Sequence, residues 1–548
     1  MPNNVLNLDD ALNALKSNKI DDALKIFLKI LQFDSKNLSV IEHISNIYRA
    51  KKNTNKYNFY LRKIASIDKK NYKVLNNLAL TYKDLNNYKL AEKYFLKSLQ
   101  INKKYILVNF NLGLLYEEKG EFEKAKKYYL NVIDLDNKFI PAYYNLQRID
   151  KELISNKSYE FIEKTLKESG DKKDKDISYG YFLLANKVEK KNTDQEIKYL
   201  FKGHDLFFNS NHLYRNACDL WLNLIPNMMK KKIHYTENEM NNTEKKLEPI
   251  FIFGLPRSGT TLVETIISSG KIKVPNTGEA SIIHNSLINL TNKKEIKENK
   301  DNILINFKIL NETINYNYYE LEALKNYTGT KFIDRTMVNF FFYEIIFKIF
   351  PNTKIIHCNR NYFHNLVAIY KQCLENLPWT HSIENIIKYI KLFDETISKI
   401  KLLHPKNILT VDLKELTNEP EKTSKLIMNF CDLEWSDDVL NFHTKKDLIC
   451  STASNIQIRN KIYKYDDNKF EKYKKYFSKY ILKHKSCSLH TDKRATATSC
   501  MSCFSKKPRY WSHVDLLSIL LMHWQTLNHQ ILHLLQRINP LNAHIIHY

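Results

Sequence analysis

Apolar and aromatic positions recur at a fixed spacing over residues 1–150. Tyrosines stand 34 residues apart, alanines precede a second aromatic column by four residues, and charged residues fill the positions between. The recurring columns hold Ile44, Leu78, Leu112 and Leu146; Tyr48, Tyr82 and Tyr116; Phe27, Leu61, Phe95 and Tyr129; and Ala23, Ala91 and Ala125. Each period contains two amphipathic segments of helical length, so the pattern predicts pairs of helices stacked along the chain.

This period, with a small residue in each helix of the pair, resembles the tetratricopeptide repeat. The clearest copy, residues 112–130, carries Gly113 in its first helix and Ala125 in its second. Small residues let the paired helices approach closely, and the aromatic residues fill the spaces between neighbouring repeats. The resemblance implies an α-solenoid over residues 1–150 that binds a protein or peptide in its groove.

Helical patterns continue over residues 151–235, where segments 181–191 and 194–207 predict a further helix pair. We expect this region to extend the repeats or to cap them. Residues 236–248 are polar and predict a linker. Residues 484–548 form a histidine-rich tail without glutamate, and nothing in its sequence indicates a role.

The periodicity changes at Pro249, where short, continuous apolar runs replace the helical pattern. Such runs are typical of strands that are buried on both faces of a parallel sheet. The candidate strands are residues 249–254, 331–334, 353–360 and 407–413. Helix-length amphipathic segments such as 338–350 and 383–402 separate them. The predicted fold is therefore an N-terminal α-solenoid followed by a parallel α/β domain with a P-loop-like turn.

Composition restricts the partners and the compartment. The 548 residues include 85 Lys and Arg against 60 Asp and Glu, a formal charge of +25 that favours anionic partners. The lysines are dispersed along the chain, so nucleic-acid binding is not predicted. Eight cysteines without a disulfide framework suit a reducing compartment, and we expect a cytoplasmic protein. No signal peptide and no membrane span are predicted, because no apolar run reaches the required length.

Glycine is scarce, with 10 in the whole chain, yet Gly254 and Gly259 lie close together directly after the first apolar strand. Glycines there let the backbone point its N–H groups inward, and the helix that follows adds its positive N-terminus. Arg257 and the hydroxyls of residues 258, 260 and 261 complete an oxyanion-binding loop. Thr260 stands where nucleotide hydrolases and kinases carry a lysine, which disfavours a P-loop nucleotide kinase.

Residues 256–261, Pro-Arg-Ser-Gly-Thr-Thr, follow an apolar strand behind helical repeats. This arrangement resembles the sulfotransferase family, above all its bacterial repeat-fused branch and the tyrosylprotein sulfotransferases. The resemblance covers residues 249 to about 480, and it predicts a sulfotransferase domain over residues 249–483. It implies that the loop grips the 5′-phosphosulfate of PAPS (3′-phosphoadenosine 5′-phosphosulfate). The residues in that role are Arg257, Ser258, Gly259, Thr260 and Thr261.

The resemblance also implies two catalytic residues. Gly278-Glu279 matches the family segment that carries the catalytic base, so Glu279 is expected to deprotonate the acceptor hydroxyl. Arg335 follows Asp334 where the family usually has a lysine that stabilises the leaving oxygen. Arginine keeps the charge but has a wider, planar head group.

Arg360 matches the arginine that binds the 3′-phosphate of PAPS in the family. Three positions depart from the family pattern: Tyr362 and His364 replace Pro and Asp, and Ala368 replaces a phosphate-binding serine. Asn365, one turn earlier on the same helix, is a candidate substitute for the missing hydroxyl.

Residues 451–463 resemble the family segment that closes over the nucleotide, with Ser454 and Arg459 as its contacts and Gln457 ordering the loop. Lys469 is a weaker candidate. The only arginines between Arg215 and Arg494 are the four of these motifs, Arg257, Arg335, Arg360 and Arg459. Because the rest of the chain uses lysine so heavily, arginine at these positions indicates bidentate recognition of an anion.

Two functions remain open at this stage. One is a PAPS-dependent sulfotransferase that acts on a hydroxyl of a protein tyrosine or a glycan. The other is a catalytically impaired repeat scaffold that binds nucleotide and protein partners, a hypothesis motivated by His364, Ala368 and Arg335. Neither requires a metal, and the lone pair Cys500 and Cys503 has no second pair at zinc-ligand spacing.

Overall fold

The structure is a computed structural model that describes residues 8–17, 19–51, 53–170, 172, 174–236, 247–292, 295–445, 448–450 and 452–491. These residues form two compact units, residues 8–151 and residues 152–491. Most of the predicted linker, residues 237–246, and the tail from residue 492 lie outside the described residues. No helix of the described ranges is long and apolar enough to cross a membrane.

The first unit consists of antiparallel helices, as the repeating columns predict. The helices are α1 (Leu8–Lys16), α2 (Ile20–Phe33), α3 (Leu38–Ala50), α4 (Thr54–Ile67), α5 (Tyr72–Asp84), α6 (Tyr88–Ile101), α7 (Ile106–Lys119), α8 (Phe122–Leu135) and α9 (Ile140–Ile149). Asparagine caps set several of the N-termini: Asn37, Asn71 and Asn87 each accept a hydrogen bond from the backbone N–H three residues ahead.

The repeat columns form the core of this unit. Ala91 and Ala125 are fully buried, as are the aromatic residues Phe95 and Tyr129 that follow them by one helical turn. A Cβ atom on Gly113 would lie 2.5 Å from Cε1 of Tyr129, so a larger residue here requires the buried ring to move. The prediction of a tetratricopeptide-like solenoid is confirmed.

The second unit begins with helices and continues into the sheet. Its helices are α10 (Asn156–Ser169), α11 (Lys175–Val188), α12 (Thr193–Asn209), α13 (Leu213–Asp219), α14 (Ile225–Met228), α15 (Thr260–Ser268), α16 (Ile282–Asn292), α17 (Phe307–Tyr319), α18 (Tyr343–Ile349), α19 (Tyr362–Tyr370), α20 (Ile383–Leu403), α21 (Leu413–Asn418), α22 (Pro420–Phe430) and α23 (Lys474–Thr491). Its strands are β1 (Lys232–Thr236), β2 (Glu248–Gly254), β3 (Ile296–Glu298), β4 (Asn302–Asn306), β5 (Lys331–Asp334), β6 (Lys354–Asn359) and β7 (Ile408–Asp412).

The main sheet is parallel, with the strand order β5-β2-β6-β7. All four strands lie where the apolar runs predict them, and six of the seven residues of β2 are buried. Helices α15 and α22 cover one face, where Ile266 and Ile427 pack against Ile252. After β2 the chain forms β5 on one side of β2, and it then crosses to form β6 on the other side. The loops after β2 and β6 therefore flank a crevice at the carboxyl edge of the sheet. Open α/β sheets bind their ligands in such crevices.

A second, three-stranded sheet has the order β1-β4-β3, with β1 parallel and β3 antiparallel to β4. The sequence does not predict it. Strand β1 alternates exposed and half-buried residues, so it lacks the continuous apolar run that marks the strands of the main sheet. Its partner β4 lies about 70 residues further along the chain, and no local pattern links the two strands.

Candidate functional site

The loop after β2 turns sharply into the N-terminus of α15. Gly259 has a φ of 99° and Arg257 a φ of 67°, so two of its residues adopt the left-handed conformation. A Cβ atom on Gly254 would lie 2.5 Å from Cγ2 of Thr260 and 2.6 Å from Oγ of Ser258, so only glycine fits at the end of the strand. The backbone N–H groups at the start of α15 therefore converge at the carboxyl edge of the sheet, where they suit an anion.

The segment predicted to close over the nucleotide does contact this loop. Arg257 donates from Nη1 to Oγ of Ser454 at 2.7 Å and from Nη2 to Oε1 of Gln457 at 2.9 Å. The hydroxyls of Thr261 and Thr452 share a hydrogen bond of 3.2 Å. Residues almost 200 positions apart are thus joined by hydrogen bonds.

Arg360, at the end of β6, lies beside the same loop. Its Nη1 donates to the backbone oxygen of Arg257 at 2.7 Å, and its guanidinium lies 5.3 Å from the ring centre of Phe470. The Tyr465 hydroxyl makes hydrogen bonds with Nε of Arg360 at 3.3 Å and with Nδ1 of His364 at 2.8 Å. Burial and the neighbouring Arg360 lower the pKa of His364, so this histidine is neutral at physiological pH.

A cavity of 680 Å³ opens between these residues, within the size range of small-ligand sites. Its wall includes Arg257, Gly259, Arg360, Ala368 and Ser454, together with Lys461, Lys464 and Lys469. Burial and three nearby cations lower the pKa of Lys469, although Glu189 opposes the shift. Such crowding of positive charge around a cavity suits a polyanionic ligand. We call this space the donor cavity.

Arg335, directly after β5, joins two carboxylates, one of them on helix α15. It is 7% exposed and donates from Nε to Oε2 of Glu264 at 2.8 Å and from Nη1 to Oε1 of Glu279 at 2.6 Å. The two carboxylates differ in environment: the Glu264 side chain is 9% exposed, whereas that of Glu279 is 56% exposed. Burial raises the pKa of Glu264, although Arg335 opposes the shift.

Backbone hydrogen bonds hold Glu279 close to Arg335. The segment before it runs along the free edge of β5, where Thr277 N donates to the oxygen of Ile333 at 2.9 Å and Arg335 N donates to that of Gly278 at 3.0 Å. Neither residue type nor spacing in the sequence indicated Glu264. Its only signal is that it is the one charged residue of helix α15.

Comparison with known proteins agrees with this geometry. The sulfotransferase-family model matches residues 249–437, and the tetratricopeptide-repeat model matches residues 72–105 and 107–139. The chain contains a sulfotransferase-family domain.

An uncharacterized protein of Aquifex aeolicus (strain VF5) is 27% identical over 321 residues, which cover 57% of this chain and 39% of that protein. The chain thus spans about two fifths of the length of this relative. Among solved structures, a tetratricopeptide repeat protein from Parabacteroides merdae matches with 20% identity and a TM-score of 0.29, over 37% of this chain and 80% of its own. The MamA protein matches with 20% identity and a TM-score of 0.27, over 30% of this chain and 89% of its own.

The remaining predicted site residues make contacts within the protein. Arg459 donates from Nη2 to the oxygen of Leu448 at 2.7 Å and from Nε to Oδ1 of Asn455 at 3.1 Å, so it braces its own loop. Ser258 is buried and donates to the oxygen of Leu255 at 2.8 Å. Asn365 does not line the donor cavity, whereas Ala368 does. Their roles toward a ligand stay predictions.

Helices α11 and α12 lie in the same compact unit as the main sheet and contact residues of the donor cavity, which the sequence did not indicate. Lys371 Nζ lies 2.6 Å from Oε1 of Glu189, 2.7 Å from Oε1 of Glu196 and 2.6 Å from the hydroxyl of Tyr473. Glu196 is 1% exposed and also accepts from Tyr473 at 2.7 Å. This buried cluster fixes the end of α19 and residues 469–473, which together form one wall of the donor cavity.

Within the described ranges, no group of three or more His, Cys, Asp or Glu side chains could hold a metal ion. Arginine and lysine side chains, with backbone N–H groups, are the positive groups around the donor cavity.

Proposed function

We propose that this protein transfers the sulfuryl group of PAPS to a hydroxyl of a protein tyrosine or a glycan. The observation that carries this proposal is the donor cavity itself, in which Arg257 and Arg360 meet at the loop of a sulfotransferase-family domain. The 5′-phosphosulfate would bind Arg257 to Thr261, and the 3′-phosphate would bind Arg360. Lys469 and Ser454 line the same cavity and supply further donors.

In this mechanism Glu279 accepts the proton of the acceptor hydroxyl while the new oxygen–sulfur bond forms. The bond between sulfur and the bridging oxygen breaks, and its electron pair stays on the phosphate of the product PAP (3′,5′-ADP). Arg335 has two tasks. Its contact with Glu279 orients the base, and its charge stabilises the leaving oxygen together with the backbone N–H groups of the loop.

For the repeats we propose a partner protein or peptide, because solenoids of this type present an extended groove. We propose a cytoplasmic location because of the cysteine content. We propose that the sulfotransferase domain extends over residues 249–483, because the resemblance covers this range.

A second candidate function is the impaired scaffold. It is favoured by Ala368, whose methyl group lines the donor cavity where the family carries a hydroxyl.

The test is transfer from labelled PAPS to a mixture of tyrosine peptides and glycans, with calorimetric titration of PAP. We expect the wild type to transfer sulfate and Glu279→Gln to lose about 10²–10⁴-fold in kcat, the usual contribution of a general base. Both should bind PAP equally. Glu322→Gln, an exposed carboxylate paired with Lys325, is the matched control and should stay active.

PAP binding without transfer to any acceptor would favour the scaffold. Absence of both would refute both functions.

A further inference from the structure

His364 is a titratable residue to which the proposed mechanism gives no role. It lies in the first turn of α19, where its backbone N–H donates to Oδ1 of Asn361 at 3.1 Å, and it is 6% exposed. Its ring stacks on that of Tyr465, with 5.7 Å between the ring centres. Imidazole is the side chain whose charge changes most readily near neutral pH. A buried imidazole next to a ligand cavity can therefore link ligand binding to the proton concentration.

One hydroxyl group connects His364 with Arg360. An arginine can only donate hydrogen bonds, so Oη of Tyr465 accepts from Nε of Arg360 at 3.3 Å. The same oxygen lies 2.8 Å from Nδ1 of His364. Phe470 covers this group, because its ring centre lies 5.3 Å from both the guanidinium carbon of Arg360 and the ring centre of His364. Since His364 and Phe470 are buried, solvent only weakly screens a charge on the imidazole from an ion that Arg360 binds.

A phosphate bound at Arg360 carries more charge than this arginine balances. Arg360 has one positive charge, and it already donates to the backbone oxygen of Arg257 and to Tyr465. A phosphate monoester carries about −1.5 to −2 at neutral pH. Ala368, on the wall of the donor cavity, has no hydroxyl to donate. A protonated His364 supplies a second positive charge beside the ligand.

Protonation of His364 also changes the hydrogen bonds of Tyr465. When both ring nitrogens carry a proton, Nδ1 donates to Oη of Tyr465, which then accepts from the imidazolium and from Arg360. The hydroxyl proton of Tyr465 is left for a third partner, and Tyr465 lines the donor cavity. This hydroxyl can then donate to the phosphate, which Ala368 cannot do.

Charged groups of both signs surround the imidazole. Burial lowers the pKa of His364 most, and Arg360 and Lys474 lower it further, whereas Asp467 and Glu471 raise it. In the free protein burial and the cations prevail, so the ring is neutral. A phosphate on Arg360 offsets the positive charge next to the ring and therefore raises the pKa.

We propose that His364 takes up a proton from the solvent when the 3′-phosphate binds Arg360, and that it acts on the ligand through Tyr465 as a positioning residue. This inference rests on the proposed function, because its ligand is PAPS or the product PAP. Coupling of this kind is reciprocal, so the nucleotide binds more tightly where the ring is protonated. The affinity for PAP therefore rises as the pH falls. Each unit between the pKa values of His364 in the free and bound states contributes up to about 10-fold.

The experiment measures proton uptake when PAP binds the full chain. Calorimetric titrations in two buffers with different enthalpies of ionisation, at about pH 6.5, give the number of protons bound per PAP. We expect the wild type to take up more protons than His364→Gln. Between about pH 8 and about pH 6, its Kd for PAP should fall roughly 5-fold more than that of the variant. The phosphates of PAP titrate in the same range for both proteins, so the difference reports on His364.

Two controls and a second variant complete the design. Adenosine 5′-phosphate lacks the 3′-phosphate, so the wild type and His364→Gln should take up equal numbers of protons with it. His404→Gln changes another partly buried histidine, whose ring lies 3.7 Å from that of Phe347, and proton uptake with PAP should persist. If His364→Gln does not fold, Tyr465→Phe serves. It should bind PAP more weakly and take up fewer protons, with its affinity for adenosine 5′-phosphate unchanged.

The proposal is overturned if the wild type and His364→Gln take up equal numbers of protons with PAP, or if their affinities have the same pH dependence. Uptake that persists in His364→Gln and disappears in Lys469→Met would assign the proton to the lysine instead. Sulfate transfer without the difference between wild type and variant would refute the proton linkage alone. The difference without transfer to any acceptor would refute the proposed function and leave the linkage standing, and absence of PAP binding would refute both.

Discussion

At the scale of single residues, Arg335 occupies a position where its fork geometry is essential. One guanidinium edge holds the buried Glu264 and another holds the exposed Glu279. A lysine would have to reach both carboxylates from one ammonium nitrogen, whereas Arg335 uses Nε for Glu264 and Nη1 for Glu279. The arginine that stands in the family's lysine position is thus matched by a carboxylate on α15.

Arg335→Met should destabilise the second unit by about 3–5 kcal/mol, because it leaves the Glu264 carboxylate buried without a counterion. The measurement is urea unfolding. The double variant Arg335→Met with Glu264→Leu should recover most of the loss, since both charges are then absent. A single variant as stable as the wild type would contradict this role for the pair.

The same variant should show a distinct pH dependence. Burial already raises the pKa of Glu264, and loss of Arg335 removes the charge that opposes the shift. A carboxyl whose pKa is raised in the folded state binds more protons when folded, so stability rises as the pH falls. Between about pH 7.5 and about pH 5.5 the urea midpoint of Arg335→Met should rise more than that of the double variant.

Ala368→Ser restores a hydroxyl to the wall of the donor cavity. A hydrogen bond to a charged phosphate contributes about 1.5–3 kcal/mol, so we expect roughly 10-fold or tighter PAP binding in calorimetry. Adenosine 5′-phosphate, which lacks the 3′-phosphate, is the control ligand and should bind both proteins equally. Equal gains for both nucleotides would show that the hydroxyl does not contact the 3′-phosphate.

At the scale of elements, α12 holds α19 and residues 469–473 through the cluster of Lys371 with Glu189, Glu196 and Tyr473. Lys371→Met should destabilise the second unit by about 1–3 kcal/mol, since Glu196 keeps its contacts with Lys472 and Tyr473. It should also raise the Kd for PAP, because the cavity wall loses its anchor. The control is Lys475→Met, which breaks the exposed pair with Asp194 and should leave both quantities unchanged. Unaltered PAP binding in Lys371→Met would exclude a positioning role.

The sequence predicted those elements whose signal is local. The four strands of the main sheet are continuous apolar runs, and the alanine columns of the repeats lie in the core, so both were recognisable. Motif resemblance predicted that the segment of Ser454 closes over the nucleotide, but it did not predict the hydrogen bond between Ser454 and Arg257. The partnerships of Glu264 and Glu196 were not predicted either, because each depends on which distant side chain faces a single buried carboxylate, and no spacing along the chain encodes that.

At the scale of the whole molecule, two compact units should respond separately to perturbation. Gly113→Ala places a methyl group against the buried ring of Tyr129, and overpacking of this kind costs about 1–3 kcal/mol. In calorimetry the transition of the repeat unit should move to lower temperature. Ser66→Ala, on the exposed side of α4, should leave it unchanged.

Ligand should act on the other transition. At 100 times its Kd, PAP stabilises the unit that binds it by about 2.7 kcal/mol, so the transition of residues 152–491 should rise in both Gly113→Ala and the wild type. A PAP-induced rise in the repeat transition instead would contradict the assignment of the donor cavity.

The strand order β5-β2-β6-β7 also has a consequence in time. Strand β2 is made first, yet both of its neighbours, β5 and β6, are translated much later. At about 5–20 residues per second, the ribosome needs on the order of 5 s or more before the first neighbour emerges. The repeat helices pair with their immediate successors and need no such delay. For several seconds of every synthesis, the apolar strand β2 therefore has no partner at either edge, and we expect chaperones to bind the nascent chain mainly in this interval.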